Sequence, residues 1–571
     1  MSSSPVARPL RRAALGLATT GVLMLAPTLA SAATSTDVQV NNPQVAGDAS
    51  SNTTAVFPTN KQNETSVAVN PVAGNFLISG ANDEQRQPPC GPGPVRGPDA
   101  VPSDCSFFPN VGTSGVYTSS DGGTTWTNRG LLDDQQTWKD SRLVSDGDPV
   151  IMYGPKPAAG GGFTYDSGAR AYYATLASYK DNVGPYPANK APEFLAISFS
   201  DDNGLTWSSP VIATPNHPVN FNDKEWLAVD DNPASRYFGR LYMSWTQFRS
   251  NTSTGNGNEP VKAVFSADGG QTFSAPRQLS PAGNNGTGNG RQGSYVVTGP
   301  DGGVYVAFEQ GSSQVVAISR DGGVSYARPT TIGPVVDIND PIPGANFRTN
   351  SFPTIAADPR NGSSTLYASW ATRTTDGGRI VVSTSTDKGR TWSAPATIST
   401  AAEGYAFYQG MDVAANGRVD LGYQALKAVN PATYGTGNAA INSYYVSRSA
   451  GPAGVWSPAT KVSSVSTDPA VSAQNNLARQ FMGDYNQLVS TNDRAWFIYT
   501  DTRNGVGCPA VDQYQRIIDG TETVRGDFGD RLKTRLGQNP YAHEPGAKPA
   551  PPQHCDGPFG NSDAYVSVIT P

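Results

Sequence analysis

Short runs of alternating apolar and polar residues cover most of the chain, and turns rich in Gly, Pro, Asn or Asp separate them. The clearest unit contains the segments SFPTIAAD, TLYASWAT, RIVVSTS and TWSAPATI, between residues 351 and 398. Period-two alternation over segments of this length predicts half-buried β-strands rather than helices. We therefore expect this unit to form one antiparallel sheet of four strands.

An eight-residue stretch recurs between the third and fourth predicted strands. It is SSDGGTTW at 119–126 and returns as SDDNGLTW, SADGGQTF, SRDGGVSY and STDKGRTW, with aspartates at 121, 202, 268, 321 and 387. The intervals vary from 53 to 81 residues, which is too irregular for a solenoid but fits propeller blades with variable loops. In such a turn the Asp bonds its own backbone, the Gly takes a conformation closed to other residues, and the aromatic packs between sheets.

This stretch resembles the Asp-box, or BNR, repeat of the sialidase superfamily, and the resemblance extends over nearly all of the chain after residue 32. The segments FMGDYNQL (481–488) and YTDTRNG (499–505) are also similar to segments of secreted Asp-box proteins. The resemblance implies an all-β propeller in which the repeated turn is structural and lies on the face opposite the active site. Its aspartates are therefore not expected to be catalytic.

Seven segments have the character of an innermost strand, which predicts a single β-propeller of seven four-stranded antiparallel blades; six or eight blades remain alternatives. These segments begin at Glu64, Asp148, Glu225, Ser294, Phe352, Met411 and Asp484. The sixth unit keeps a degenerate turn, SRSAGPAGVW (447–456), which lacks the aspartate. The seventh unit lacks a fourth strand, and TDVQVNNPQV (36–45) is expected to supply it, since closure of the ring removes exposed sheet edges.

The first 32 residues have the pattern of a secretory signal peptide, so residues 33–571 form the predicted propeller. Three arginines precede an apolar run that ends in the small residues ASA (30–32). A retained membrane anchor is the alternative, but Pro27 and Thr28 interrupt a run that is already short. The protein is therefore expected to be secreted.

Composition narrows the range of partners. Charged residues are only 15% of the chain and the formal net charge is −6, which argues against nucleic acid or an anionic membrane. An extracellular glycan or glycoconjugate is the expected partner, and the protein is expected to be a monomer without a membrane span. No residue pattern demands a metal or an organic cofactor, although a structural Ca²⁺ held by VDDNPAS (229–235) remains an alternative.

Four cysteines in an exported chain predict two disulfides, although the sequence permits three pairings. Local pairing is the simplest choice, joining Cys90 to Cys105 and Cys508 to Cys555. The second pair flanks an insertion, at about 505–562, that contains a candidate helix, DFGDRLKTRLG (527–537). The two loops are expected either to wall the entrance of the active site or to tie the first blade to the last.

Chemistry is expected at the loops that enter the first strand of each blade and at those that leave the second, opposite the repeated turns. Paired carboxylates there suit acid–base or nucleophilic cleavage of a glycosidic bond. The catalytic candidates are Asp148, Glu225, Glu64, Asp484, Tyr408 and Tyr485. Arginines can clamp the carboxylate of an acidic sugar. The substrate-binding candidates are Arg291, Arg373, Arg503, Arg348, Asp223, Glu309 and Asp501.

By the resemblance, Arg291, Arg373 and Arg503 are similar to the arginine cluster of sialidases, and Tyr408 or Tyr485 to the family tyrosine. Two features of this sequence depart from the sialidase pattern. The first blade has QNETSVAV, with Glu64 near the place of the family's first arginine, and seven blades are counted where the sialidase propeller has six.

The leading prediction is a secreted, sialidase-like glycoside hydrolase. A non-catalytic propeller that binds carbohydrate or protein is the first alternative, and a polysaccharide lyase that uses His217 is the second. Each residue at the site also has a structural interpretation, such as Asp148 and Asp484 capping strand starts, or Arg503 pairing with Asp501. Two carboxyl groups roughly 5 to 10 Å apart would favour hydrolysis.

Overall fold

A computed structural model gives the fold of residues 33–571 with several gaps. It describes residues 33–42, 61–86, 111–180, 193–214, 220–249, 259–281, 291–342, 345–428, 439–449, 451, 454–474, 477–518, 520, 522, 549 and 554–571. Ala32–Pro571 forms one compact unit. The predicted signal peptide, Cys90, Cys105, His217 and the candidate helix at 527–537 lie outside the described residues. In the described part of the chain, no helix has the length and apolar character needed to cross a membrane.

The chain folds into seven antiparallel sheets of four strands each, which confirms the predicted fold class and blade count. The strands are β1 Thr34–Gln39, β2 Gln62–Val69, β3 Leu77–Asp83, β4 Ser114–Ser119, β5 Thr127–Leu131, β6 Leu143–Pro157, β7 Phe163–Tyr179, β8 Phe194–Ser200, β9 Val211–Ile212, β10 Asn220–Val229, β11 Leu241–Arg249, β12 Val261–Ser266, β13 Arg277–Gln278, β14 Arg291–Thr298, β15 Val304–Gln310, β16 Ser313–Ser319, β17 Thr330–Pro334, β18 Thr354–Ala357, β19 Leu366–Thr374, β20 Gly377–Ser385, β21 Ala396–Thr397, β22 Tyr405–Val413, β23 Val419–Ala428, β24 Ala439–Arg448, β25 Thr460–Lys461, β26 Gln487–Ser490, β27 Ala495–Asp501 and β28 Asp563–Thr570.

The seven sheets are arranged in a ring. Blades one to six each take four consecutive strands, starting with β2, and the first strand of each blade contacts the first strand of the next. The innermost strand β26 of blade seven contacts β2 of blade one, which completes the ring. The first strands therefore surround a central axis.

The N-terminal strand closes the last blade, as predicted. β1 pairs antiparallel with β28 from Thr34 opposite Thr570 to Gln39 opposite Tyr565. Blade seven consequently has the order β26, β27, β28, β1 and combines both ends of the described chain. The outermost strand of blade seven is the first strand in the sequence. Loss of either end of the described chain would therefore open the ring and expose a sheet edge.

Large aromatic side chains fill the spaces between neighbouring blades. Trp226, Trp245, Trp370 and Trp496 are fully buried. The indole nitrogen of Trp496, in blade seven, donates to the carbonyl of Gly122, in the repeated turn of blade one, at 2.9 Å. Truncating a buried tryptophan to alanine typically costs about 3–5 kcal/mol. The interfaces between blades are therefore a main source of stability.

The five repeated turns, called Asp turns below, share one hydrogen-bond pattern. In the first of them, the amide of Thr125 donates to Asp121 at 2.9 Å, and the hydroxyl of Thr125 donates to the second oxygen of that carboxylate at 2.6 Å. The amide of Gly123 donates to the hydroxyl of Ser119 at 2.9 Å. Gly123 has φ of 87°, and a Cβ there would lie 2.9 Å from the indole nitrogen of Trp496. Glycine is thus required both by the backbone and by the neighbouring blade.

Helices are few among the described residues. Two short helical turns, Leu132–Asp134 and Gln136–Lys139, follow β5, and Pro469–Val471 forms another turn. The ten-residue helix Pro509–Ile518 lies at the start of the predicted insertion and packs with the Cys508–Cys555 disulfide. This bridge was predicted, whereas the helix was not, and a disulfide indicates a compartment outside the reducing cytoplasm.

Candidate active site

A β-bulge interrupts the first strand at the same place in five blades. In each case two residues of the first strand face one residue of the second, and the first of the two has positive φ. These residues are Glu64 (53°), Asp148 (52°), Lys224 (57°), Gly293 (66°) and Tyr408 (48°). Positive φ costs an ordinary side chain about 1–2 kcal/mol. Four non-glycine residues thus hold strained backbone at one end of the ring, a pattern often found at functional sites.

This end of the ring, called the mouth below, lies opposite the Asp turns. The bulges stand at the starts of first strands, whereas the Asp turns follow the ends of third strands. In an antiparallel blade these two positions lie at opposite ends of the sheet. The structure therefore confirms the predicted separation of the two faces.

Carboxyl groups of three blades meet at the mouth. Asp148 forms hydrogen bonds with the carboxyl groups of Glu64 and Asp223. Asn82 connects the first two residues, because its amide group donates to Glu64 at 2.7 Å and its oxygen accepts from the backbone amide of Asp148 at 2.7 Å. Burial, followed by the charge of Glu64, raises the pKa of Asp148 well above its usual value. These surroundings therefore favour the neutral form of Asp148.

Glu225 lies beside this group and has no hydrogen-bond partner for either carboxyl oxygen among the described residues. Its side chain is buried, with 1% of the residue exposed. Burial, together with the charge of Asp223, raises the pKa of Glu225 well above the ordinary value. An unpaired carboxyl group in such surroundings is held in its neutral form.

Arg348 brings positive charge to the mouth from the segment that precedes β18. Its guanidinium binds both oxygens of Asp484, at 2.8 and 2.5 Å, and lies 4.0 Å from a carboxyl oxygen of Glu64. The hydroxyl of Tyr408 donates to the backbone carbonyl of Arg348 at 2.5 Å. Burial raises the pKa of Asp484 to about 6, although Arg348 acts in the opposite direction. The arginine is thus fixed in place by blades six and seven.

Aromatic rings and a buried lysine complete the mouth. The ammonium of Lys224 lies 3.3 Å from the ring centre of Tyr485 and 5.3 Å from that of Trp226. Trp226 stacks on Tyr295 at 4.1 Å and meets Tyr485 edge-on at 5.7 Å. Burial lowers the pKa of Lys224, whereas Asp148 and the other nearby carboxylates raise it. Polar groups at the mouth are therefore bordered by an aromatic surface.

Of the predicted catalytic residues, Asp148, Glu225, Glu64, Asp484 and Tyr485 are brought together at the mouth, and Tyr408 supports Arg348. Among the predicted binding residues, Asp223 and Arg348 belong to the same group. Glu309 contacts Asp337, and burial raises its pKa to about 8. Arg373 is exposed at the end of β19, and the side chain of Arg291 lies outside the described part of the chain.

Arg503 and Asp501 form an ion pair that has a structural role. Arg503 binds Asp501 at 2.7 Å and Asp37 of the N-terminal strand at 2.6 Å, and its guanidinium lies 4.0 Å from the ring centre of Tyr565. These contacts join β1 to the rest of blade seven. The pairing with Asp501 was one of the two interpretations of the sequence, whereas the contact with Asp37, which holds the closing strand, was not predicted.

Sequence reasoning missed Glu193, which forms a second acidic pair near the mouth with Asp146, a residue at a first-strand start. Their carboxyl groups form a hydrogen bond, and burial raises the pKa of Asp146 to about 6. Glu193 immediately precedes a third strand, β8, and the search considered only first-strand starts and second-strand ends. Third strands also begin at the mouth, so including their starts would have found it.

The loop considered for Ca²⁺ has its own hydrogen bonds. The carboxylate of Asp230 accepts from the hydroxyl of Ser235 at 2.5 Å. Within the described ranges, no group of three or more His, Cys, Asp or Glu side chains is arranged to hold a metal. The Ca²⁺ site stays a prediction.

Comparison with known proteins finds one family model that matches part of the chain. A model of the BNR repeat-like domain matches residues 188–414. No curated protein sequence matches the chain significantly.

Three solved structures show the range of proteins to which this chain is similar. A protein of unknown function from Dyadobacter fermentans is 15% identical, with 68% of this chain and 93% of that one covered and a TM-score of 0.39. The NanB sialidase from Streptococcus pneumoniae is 11% identical, with 74% and 80% covered and a TM-score of 0.35. An α-L-arabinofuranosidase from Fusarium graminearum is 13% identical, with 76% and 99% covered and a TM-score of 0.38. These values are too low to carry an activity to this chain.

Proposed function

We propose that this chain, a seven-bladed propeller that carries a BNR repeat-like domain, is a secreted glycoside hydrolase with its active site at the mouth. The observation that carries the proposal is the hydrogen-bonded group of Glu64, Asp148 and Asp223, built on strained bulges of three blades. Secretion is supported by the leader pattern of the first 32 residues and by the Cys508–Cys555 bridge.

Two carboxyl groups with opposite charge states are what glycoside hydrolysis needs. Burial and acidic neighbours raise the pKa of Asp148, which favours the protonated form that donates a proton to the oxygen of the leaving sugar. Glu64 lies 4.0 Å from Arg348 and receives a hydrogen bond from Asn82. Because Glu64 is hydrogen-bonded to Asp148, the two carboxyl groups are closer than the roughly 5 to 10 Å that hydrolysis requires, so we assign Glu64 to positioning the Asp148 carboxyl group.

The proposed substrate is a neutral sugar at the point of cleavage. A sialidase would need arginines free to bind the substrate carboxylate, but Arg348 is already bound by Asp484 and Arg503 by Asp501 and Asp37. Of the aromatic residues at the mouth, Tyr295 is partly exposed and offers its ring to the apolar face of a sugar, whereas Trp226 and Tyr485 are buried beneath it. An acidic sugar remains an arm of the test, since the side chain of Arg291 is not described.

The test is release of the fluorescent alcohol from neutral, uronic and sialic glycosides by the mature protein. We expect release from a neutral glycoside and a loss of roughly 10²–10⁴-fold in kcat for Asp148→Asn, because the proton donor is removed. Asp121→Asn is the matched control, since it makes the same change in an Asp turn on the opposite face. Equal rates for Asp148→Asn and the wild type would contradict the assignment of the proton donor, and release from the sialoside alone would contradict the neutral substrate.

A non-catalytic propeller that binds carbohydrate is the second candidate. The bidentate pair of Arg348 with Asp484, and the position of Lys224 on the ring of Tyr485, leave part of the mouth neutralised within the protein. Such internal pairing also suits a binding surface. No sugar release from any glycoside of the panel, together with binding on a glycan array that Tyr295→Ala abolishes, would support this candidate.

A further inference from the structure

We propose that the Asp-turn face carries a second binding site, between blades five and six, for an anionic group of an acidic saccharide. The site is a groove of about 390 Å³, lined by Thr384, Thr386, Thr391 and Trp392 of blade five and by Arg448 and Trp456 of blade six. Its size falls within the range of about 300–1,000 Å³ that is typical of ligand pockets. It lies at the opposite end of the ring from the mouth, so the inference does not depend on the proposed hydrolase.

Arg448 is the central observation. Only 7% of the residue is exposed, and its Nε has no hydrogen-bond partner among the described residues. One terminal nitrogen donates to the carbonyl of Gly451, and the guanidinium lies 5.5 Å from the ring centres of both Tyr367 and Trp456. In the described chain no carboxylate forms an ion pair with it, and a buried charge without a counter-charge is costly. A bound carboxylate or sulfate would supply both the counter-charge and the missing acceptor.

The sixth unit departs from the repeat at this same place. In SRSAGPAGVW, Ser449 stands where the other units have Asp, and the turn is two residues longer. Arg448 follows the first serine of its turn, as Arg320 does in blade four. Arg320, however, lies 3.7 Å from Asp301 and donates to the hydroxyl of Tyr305 at 2.6 Å. The same sequence position thus holds a compensated arginine in blade four and an uncompensated one in blade six.

The walls of the groove suit a sugar ring beside the anion. Trp392 and Trp456 are half-buried, which leaves part of each indole accessible to the apolar face of a ring. Thr386 is exposed, and the hydroxyl of Thr391 donates to Asp387 at 2.6 Å while its own oxygen can still accept. Aromatic surface, hydroxyls and one buried guanidinium together match a uronic acid or a sulfated sugar.

Isothermal titration calorimetry with the full mature protein tests the proposal. The probes are a uronic-acid tetrasaccharide, its carboxyl-reduced neutral form and a sulfated neutral tetrasaccharide. We expect binding of the uronic or the sulfated probe, and at least tenfold weaker binding of the carboxyl-reduced form. Tighter binding of one anionic probe identifies whether carboxylate or sulfate is the preferred group.

Two variants and a matched control locate the binding. Arg448→Gln and Thr386→Glu should each weaken binding of the anionic probe at least tenfold, the first by removing the charge and the second by adding a repelling one. Thr386 is exposed, so its variant keeps the test valid if Arg448→Gln fails to fold. Ser120→Glu makes the same change at the same turn position of blade one and should leave binding unchanged.

Two results would overturn the proposal. One is failure of the wild type to bind either anionic probe. The other is equal affinity of Thr386→Glu and the wild type for the probe that binds. Hydrolysis of small glycosides is expected to be unchanged in both groove variants, so failure of this proposal is distinguishable from failure of the proposed hydrolase.

Discussion

The Asp-turn face and the mouth are both built from a feature that recurs from blade to blade, but the recurring feature differs between them. The Asp turns repeat residues: Ser, Asp, Gly and a hydroxyl side chain recur in five blades, and in each turn the carboxylate is satisfied by its own turn. The mouth repeats a backbone: the same bulge recurs in five first strands, but the residue at positive φ is Glu64, Asp148, Lys224, Gly293 or Tyr408. Repeated residues stabilise a scaffold, whereas a repeated backbone that presents different side chains can build a site.

The pKa shifts of the carboxyl groups also differ in sign between the Asp turns and the mouth. Burial acts against ionisation at both ends, but in the Asp turns the hydrogen bonds from Thr or Ser win and lower the pKa of the aspartates. At the mouth, burial and neighbouring carboxylates raise the pKa of Asp148 and Glu225. The two ends are therefore expected to respond oppositely to pH.

The largest effect is expected for Glu225→Gln. Because the pKa of Glu225 is raised in the folded protein, wild-type stability should fall as pH rises from about 4.3, its unfolded pKa, through the folded pKa. The slope from this one group approaches about 1.4 kcal/mol per pH unit, and the variant should lack it. Urea unfolding at a series of pH values between 4 and 8 measures the difference.

Glu403→Gln is the matched control for this prediction. The carboxylate of Glu403 accepts from the hydroxyls of Tyr423 and Thr400, at 2.7 and 2.9 Å, so its replacement should lower the free energy of unfolding at neutral pH. Parallel pH profiles for Glu225→Gln and the wild type would mean that Glu225 does not carry the expected penalty.

A smaller effect is expected for Asp387→Asn in an Asp turn. Although burial raises it, hydrogen bonds from Thr391 lower the pKa of Asp387 to about 2. We expect a loss of about 1 kcal/mol in the free energy of unfolding at neutral pH. Since the folded pKa is lowered, this contribution is present above about pH 3.9 and disappears as pH falls through about 2.

Urea unfolding at pH 7 and pH 3, with the glycosidase assay beside it, checks this second prediction. Thr391→Val removes the hydroxyl that donates to Asp387 at 2.6 Å and should show a similar loss that is not additive with the first. A fall in kcat for Asp387→Asn would remove the distinction between a structural face and a chemical one.

The smallest effect sharpens the interpretation of the bulges. At positive φ, glycine is free of the strain that alanine suffers, so Asp148→Gly should be more stable than Asp148→Ala by about 1 kcal/mol. The same pair at Asp223, which has ordinary φ, should show the usual order, with glycine less stable by about 0.5–1 kcal/mol. Thermal unfolding of the four variants measures both differences, and alanine above glycine at both positions would contradict strain at the bulge.

The sequence was informative where structure depends on neighbouring residues. The seven innermost strands were predicted from period-two alternation and turn chemistry, which are local signals, and the closing strand from the need to cover the sheet edges. The separation of the Asp turns from the mouth was implied by the resemblance to Asp-box proteins. The sequence was less informative about which side chains contact each other. Arg503 was a candidate for substrate binding, but it holds Asp37, which is 466 positions away in the chain.

What the sequence by itself determined is the scaffold: the strands, the turns between them and the end of each blade at which polar residues collect. What only the tertiary structure decided is which of those residues meet. Glu64 and Asp484 belong to the first and last blades and come together at Arg348 only because the ring closes. Arg320 is compensated by Asp301 of the first turn of its own blade, whereas the equivalent turn of blade six has Asn416 at that place and gives Arg448 no carboxylate. The physical reason is that hydrogen bonds within a turn are fixed by a few consecutive residues, whereas burial and charge at the mouth and the groove depend on side chains from separate blades.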